Sequence, residues 1–198
     1  KRRAPPIRSL VGEGTVLHGN IGFADGVRID GEVHGNVVAT TGGNDNSTRV
    51  ITVGSMNGSS LNQLVQVPTL TIGHTGTYST NATGNSSVYF DGFNGYQFEV
   101  TGTLNLNRSI VLRTRGALTT VSGAIVSNSA SNVLEKSEQG TLWLSGASTS
   151  AFNTTLSNGY LVLEDDAALG TATSDVTFRN NAFTHLLASG VRTINRNI

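Results

Sequence analysis

The chain has 198 residues, a formal net charge of zero and only 13% charged residues, against roughly 25% in an ordinary soluble domain. That balance leaves no electrostatic footprint for nucleic acid. No apolar run reaches the ~18 residues of a membrane span, and the absence of cysteine excludes disulfides and thiolate metal sites.

The first eight residues read as a basic, proline-containing extended arm. Lys1, Arg2, Arg3 and Arg8 hold four of the thirteen basic residues, and Pro5 and Pro6, followed by Ile7, lack the donors a ladder strand needs. The plain reading is a solvated tail. The functional one is an assembly arm laid on a neighbouring subunit or an anionic surface. The chain opens on Lys, not Met, and shows no secretory leader, so a processed, trimmed or fragmentary chain is expected.

From residue 9 onward short alternating units recur. Val33-His34-Gly35-Asn36-Val37 repeats Leu17-His18-Gly19-Asn20-Ile21 at an offset of 16. After Ala39 the pattern loosens through residues 40–48. Ile51-Thr52-Val53-Gly54 and Leu70-Thr71-Ile72-Gly73 then lie 19 apart. Residues 78–97 read as a loop-rich projection whose aromatics, Tyr89, Phe90, Phe93 and Tyr96, form either local core or a patch for a partner or glycan. Gly-x-Leu-x-Leu units start at Gly102, Gly140 and Gly159, on multiples of 19. Residues 164–170 allow one helical turn at most, and Val191 to Ile198 still alternates like a strand.

Period-2 alternation closed by Gly, Asn, Asp or Ser describes half-buried strands and tight turns. Like strands returning every 16–19 residues describe one coil of a solenoid. The expectation is an all-β chain: a single right-handed β-helix (β-solenoid) of roughly ten coils over residues 9–198, with aliphatic side chains stacked at ~4.8 Å.

Little chemistry is visible. His18 and His34 occupy equivalent positions and are expected to stack on adjacent coils. Two imidazoles without a third ligand make a corner ladder more readily than a metal site. The carboxylates open to acid/base work are Asp91, Glu99, Glu135, Glu138, Glu164, Asp165, Asp166 and Asp175. Of these, Glu135 and Glu138, with Lys136 between them, read as a solvated corner. No catalytic residue, metal or cofactor is assigned.

Two resemblances accompany these units. Residues 9–39, with Ser-Leu-Val-Gly-x-Gly-Thr and Val-Arg-Ile-Asp-Gly-Glu-Val-x-Gly-Asn-Val, resemble the start of a bactofilin. That resemblance implies a right-handed β-helix that polymerises end to end in the cytoplasm without nucleotide. Residues 133–198, with Leu134-Glu135-Lys136-Ser137-Glu138-Gln139-Gly140-Thr141-Leu142-Trp143-Leu144 and the Leu-Val-Leu-x-x-Asp-x-Ala-Leu-Gly ending at Gly170, resemble the autotransporter-associated β-strand repeat. That resemblance implies a surface or secreted passenger. The expected function is a self-assembling structural subunit of an extracellular or cell-surface filament, stacked head to tail on itself. The alternatives are an adhesin or passenger stem, a cytoskeletal polymer and, third, a glycan-active β-helix enzyme.

Overall fold

The computed structural model describes residues 9–12, 15–19, 21–23, 26–29, 32–34, 36–39, 48–53, 64–72, 86–92, 95–115, 118–171, 175–179, 183–194 and 198. They form the strands β1 (Ser9–Val11), β2 (Val16–His18), β3 (Ile21–Phe23), β4 (Gly26–Ile29), β5 (Glu32–His34), β6 (Asn36–Ala39), β7 (Thr48–Val53), β8 (Leu64–Ile72), β9 (Ser86–Gly92) and β10 (Gln97–Leu106). There follow β11 (Ile110–Arg115), β12 (Thr119–Val121), β13 (Ala124–Ser127), β14 (Val133–Ser137), β15 (Thr141–Leu144), β16 (Asn153–Leu156), β17 (Gly159–Leu163), β18 (Val176–Phe178) and β19 (Thr184–Ala188). No helix occurs among the described residues, and none there is long and apolar enough to cross a membrane.

The chain is all-β, and each printed strand pair is parallel. One wall runs β1-β4-β7-β9-β11-β14-β16-β18 and a second β19-β17-β15-β12-β10-β8-β6-β3, with β13 also on β10 and β2 paired with β5. Successive strands of the chain alternate between walls, so each returns on top of a predecessor one coil earlier. This is a solenoid-like stack, and the first wall carries eight rungs among the described residues.

Register turns the alternation of the sequence into continuous interior columns. Val67, Val100, Val121, Leu144 and Leu163 lie one above the next, all 2% exposed or less. On the first wall Ile110, Leu134, Thr154 and Val176 do the same. Each buried Val or Leu contributes roughly 1.5–3 kcal/mol. Three threonines interrupt these columns: the buried hydroxyls of Thr114, Thr119 and Thr154 find no hydrogen-bond partner.

The coil length departs from the expected 16–19 residues. Ile21 pairs with Val37, 16 on, and Ser9 with Val27, 18 on. Later steps are mostly longer: Thr119 meets Leu142 at 23, Leu142 meets Leu161 at 19 and Leu161 meets Leu186 at 25. Between β7 and β9 the step is 39, from Thr48 to Ser87. Two of the repeat pairs therefore do not stack as read. Ile51-Thr52-Val53 belongs to β7 on the first wall, whereas Leu70-Thr71-Ile72 belongs to β8 on the second. Likewise Leu104 is followed in its column by Ile125, and Leu142 sits on Thr119. Any wall of such a coil needs the same inward aliphatics, so similar strands recur between walls as well as along them.

One corner is held by glycine for lack of space. A Cβ at Gly102 would run into the Pro68 carbonyl, one at Gly123 into the Gly102 carbonyl and one at Gly146 into the Gly123 carbonyl. The backbone passes itself at van der Waals distance on successive coils, where only hydrogen fits.

Candidate functional site

The ends of the stack are where its core opens. Interior columns are closed to within 2% exposure, but four hydrophobics pack on the core while only partly buried: Leu17 and Ile21 in the first coil, Leu186 and Ile194 in the last. Phe178 shares the column of Leu112 and Leu156 and is still 42% exposed. Six of the nine exposed large hydrophobics among the described residues lie after residue 159: Tyr160, Phe178, Phe183, Leu187, Val191 and Ile198. The terminal strands, β1, β2 and β3 at one end and β18 and β19 at the other, have a ladder partner on one side only among the described residues. The basic arm, Lys1, Arg2, Arg3, Pro5, Pro6, Ile7 and Arg8, lies outside the described residues.

The aromatic segment divides between core and surface. Ser86–Gly92 is β9 and part of the first wall, so this portion of the expected projection is solenoid; residues 78–85, Phe93 and Asn94 lie outside the described residues. The alternation Val88-x-Phe90 turns Phe90 inward, 1% exposed and stacked on Phe98 at 5.1 Å, and Tyr96 is 4% exposed. Burial removes both from any surface patch. Tyr89 points outward beneath two guanidinium groups, Arg115 at 4.1 Å and Arg113 at 5.2 Å from the ring centre. Arg115 donates through Nε and Nη2 to Asp91 at 2.8 and 2.9 Å, and Arg113 pairs with Glu138 at 3.3 Å. The bond to Asp91 raises the pKa of Arg115.

The corner at residues 135–138 is enclosed, contrary to the solvated corner expected from its charges. Alternation in β14 puts Lys136 in the interior column between Leu112 and Leu156, 1% exposed. Its Nζ reaches the corner and donates to the carbonyls of Ser137 (3.0 Å), Glu138 (2.8 Å) and Asn158 (2.9 Å), the last on the following coil. All three ammonium protons are matched. Glu138 takes a left-handed backbone (φ 67°), uncommon for a side chain of its kind. Burial pushes the Lys136 pKa down to about 8, a fall that the charge of Glu138 opposes. Glu135, also buried, accepts from Ser157 at 2.6 Å and from Arg179 at 3.2 Å.

The other carboxylates are similarly engaged. Glu99 accepts from Gln66 at 2.7 Å and from Ser122. Asp165 accepts the Ala167 N–H at 2.7 Å, closing the turn over residues 165–170, and Asp166 accepts the Thr193 N–H at 3.2 Å. His18 and His34 are register partners in β2 and β5, as their spacing predicts. No group of three or more His, Cys, Asp or Glu able to hold a metal occurs among the described residues.

A second outer surface escaped the sequence reading. On the outward face of the second wall one column runs Gln66, Glu99, Thr120, Trp143, Val162, Leu187, changing from polar to apolar after Thr120. The neighbouring column runs Thr141, Tyr160, His185, and the last two rings stack at 4.8 Å and 13°. Beside them a groove of about 230 Å³ is lined by Gln139, Asn158, Gly159, Tyr160, Phe183 and His185. Register exposes this cluster, because Tyr160 and His185 are 25 residues apart and follow no repeat offset.

No family model matches the chain, and neither a curated protein nor a solved structure shows significant similarity to it.

Proposed function

We propose that the chain is a structural, self-assembling protein whose copies stack head to tail through the two ends of a right-handed solenoid. The supporting observation is the half-open core at both ends, Leu17 and Ile21 at one and Leu186 and Ile194 at the other. Unpaired edges beside exposed apolar side chains are a template for another parallel strand. A contact between unlike ends does not close on itself, so it continues into a filament. The right hand follows the strong preference of parallel strand–crossover–strand units.

A structural role in place of a catalytic one is supported by the carboxylates, which are engaged in coil-to-coil bonds and turn closure. The resemblance to surface passenger repeats, over the longer stretch, supports a cell-surface or extracellular location. The bactofilin resemblance supports the cytoplasm as the alternative. A passenger stem, in which further coils of one polypeptide cover the same edges, is the competing architecture.

Negative-stain microscopy and sedimentation of the purified chain test the proposal. Unbranched fibres that persist in high salt, as apolar ends require, are the expected result. A stable 20.7 kDa monomer at micromolar concentration overturns it.

A further inference from the structure

The geometry points to a binding site for a neutral oligosaccharide on the outer face of the second wall, in the groove beside Tyr160, His185 and Phe183. Three observations carry it. First, the outward columns of this wall become aromatic and apolar only on the last rungs. Upstream the equivalent positions are Gln66, Glu99 and Thr120, the ordinary solvent face of a half-buried sheet. Nothing in the folding of the coil requires a different choice at Tyr160 (42% exposed) or Leu187 (45%), and Phe183, at 62%, stands out beside them.

Second, the lining combines rings with carboxamides and contains no carboxylate, ammonium or guanidinium. Gln139 and Asn158 each offer donors and an acceptor, which matches hydroxyl groups that do both. Rings supply the apolar surface on which the C–H face of a sugar rests. Tyr160 and His185 cover each other's inner faces, so Phe183 and the outer face of His185 are left for the ligand. A volume of about 230 Å³ falls below the roughly 300–1,000 Å³ of drug-sized sites and suits one sugar unit of a longer chain. A peptide is a poorer fit, because the groove lies on the face of a wall and offers no strand edge to extend.

Third, the floor is fixed in advance. Gly159 N–H donates to the Phe183 carbonyl at 2.7 Å, Tyr160 N–H to the Gly140 carbonyl at 3.2 Å, and the Asn158 carbonyl is held by Lys136 at 2.9 Å. Such a groove needs little ordering on binding.

The test is an array of neutral and acidic oligosaccharides probed with the intact chain, followed by calorimetric titration of the best neutral member. Neutral members are expected to bind. Tyr160→Ala and Phe183→Ala should each weaken binding about tenfold, and His185→Phe, which keeps a flat ring, should stay within about threefold. Tyr89→Ala on the other wall should bind normally, and unchanged thermal unfolding of Phe183→Ala would show that its loss is local. Retention of acidic members only, no binding of any neutral member, or full binding by Tyr160→Ala and Phe183→Ala overturns the site. Each outcome is read independently of fibre formation.

Discussion

The first two coils and the later ones build the same stack by different means. In β1 to β6 each coil is three short strands, and the chain returns after 16 or 18 residues. From β14 onward each rung has two strands, and the third side is irregular. There Ile125 N–H is taken by the Ser148 hydroxyl at 2.9 Å, Ser148 N–H by the Ala167 carbonyl at 3.0 Å and Thr171 N–H by the Ser150 carbonyl at 3.1 Å. Phe152, Ala168 and Leu169, all 1% exposed or less, fill the space behind. A side closed by backbone ladders alone demands equal lengths on every coil. Where lengths vary from 19 to 25, side-chain hydroxyls, turns and an aromatic plug replace the ladder.

Three substitutions probe that contrast. The largest effect is expected at the glycine corner. Gly123→Ala puts a methyl group into the backbone of the previous coil and should cost about 3 kcal/mol or more. Gly22→Ala in β3, with nothing within 4 Å of the added Cβ, should be neutral or stabilising by up to about 1 kcal/mol. Urea unfolding of both variants checks this, and equal losses would contradict the crowding described for the middle coils.

The second probe is pH. Lys136 has a pKa of about 8 when folded and 10.5 ordinarily. Below pH 8 both forms hold the proton and the burial cost is constant. Between about 8 and 10.5 the folded chain has released a proton that the unfolded chain keeps, so stability should climb with pH, by up to on the order of 3 kcal/mol. Lys136→Met should remove that rise, read as the difference between the two proteins in urea unfolding at pH 7, 8.5 and 10. Parallel profiles would mean that the ammonium is not buried as described.

The smallest effect concerns the unpartnered hydroxyls. Thr119→Val keeps the shape and removes a buried polar atom, so a gain of about 1 kcal/mol is expected by thermal or urea unfolding. A loss would indicate that Thr119 has a hydrogen-bonding role.

Much of this architecture was legible from alternation and glycine spacing, because period 2 and tight turns are local properties. Leu142, Leu161 and Leu186 stack as the repeated Leu suggested. What alternation cannot supply is which wall a strand joins. Ile51-Thr52-Val53 and Leu70-Thr71-Ile72 satisfy the same pattern on different walls. Lys136 was hidden by its charge: its place two residues after Leu134 marked it as inward, but composition argued for solvent. The Tyr160–His185 face was hidden because pairing, and not sequence distance, brings the rings together. The aromatic cluster near residue 90 was visible, although only Tyr89 among its described members faces outward.

The step of 39 residues between Thr48 and Ser87 has one more consequence. The ladder on either side keeps its parallel register although that turn holds about twice the chain of the others. Doubling a loop adds only about 0.6 kcal/mol of closure entropy. Each turn can therefore lengthen on its own account, and foreign sequence grafted at this turn would be carried on the flank with the rungs above and below unaltered.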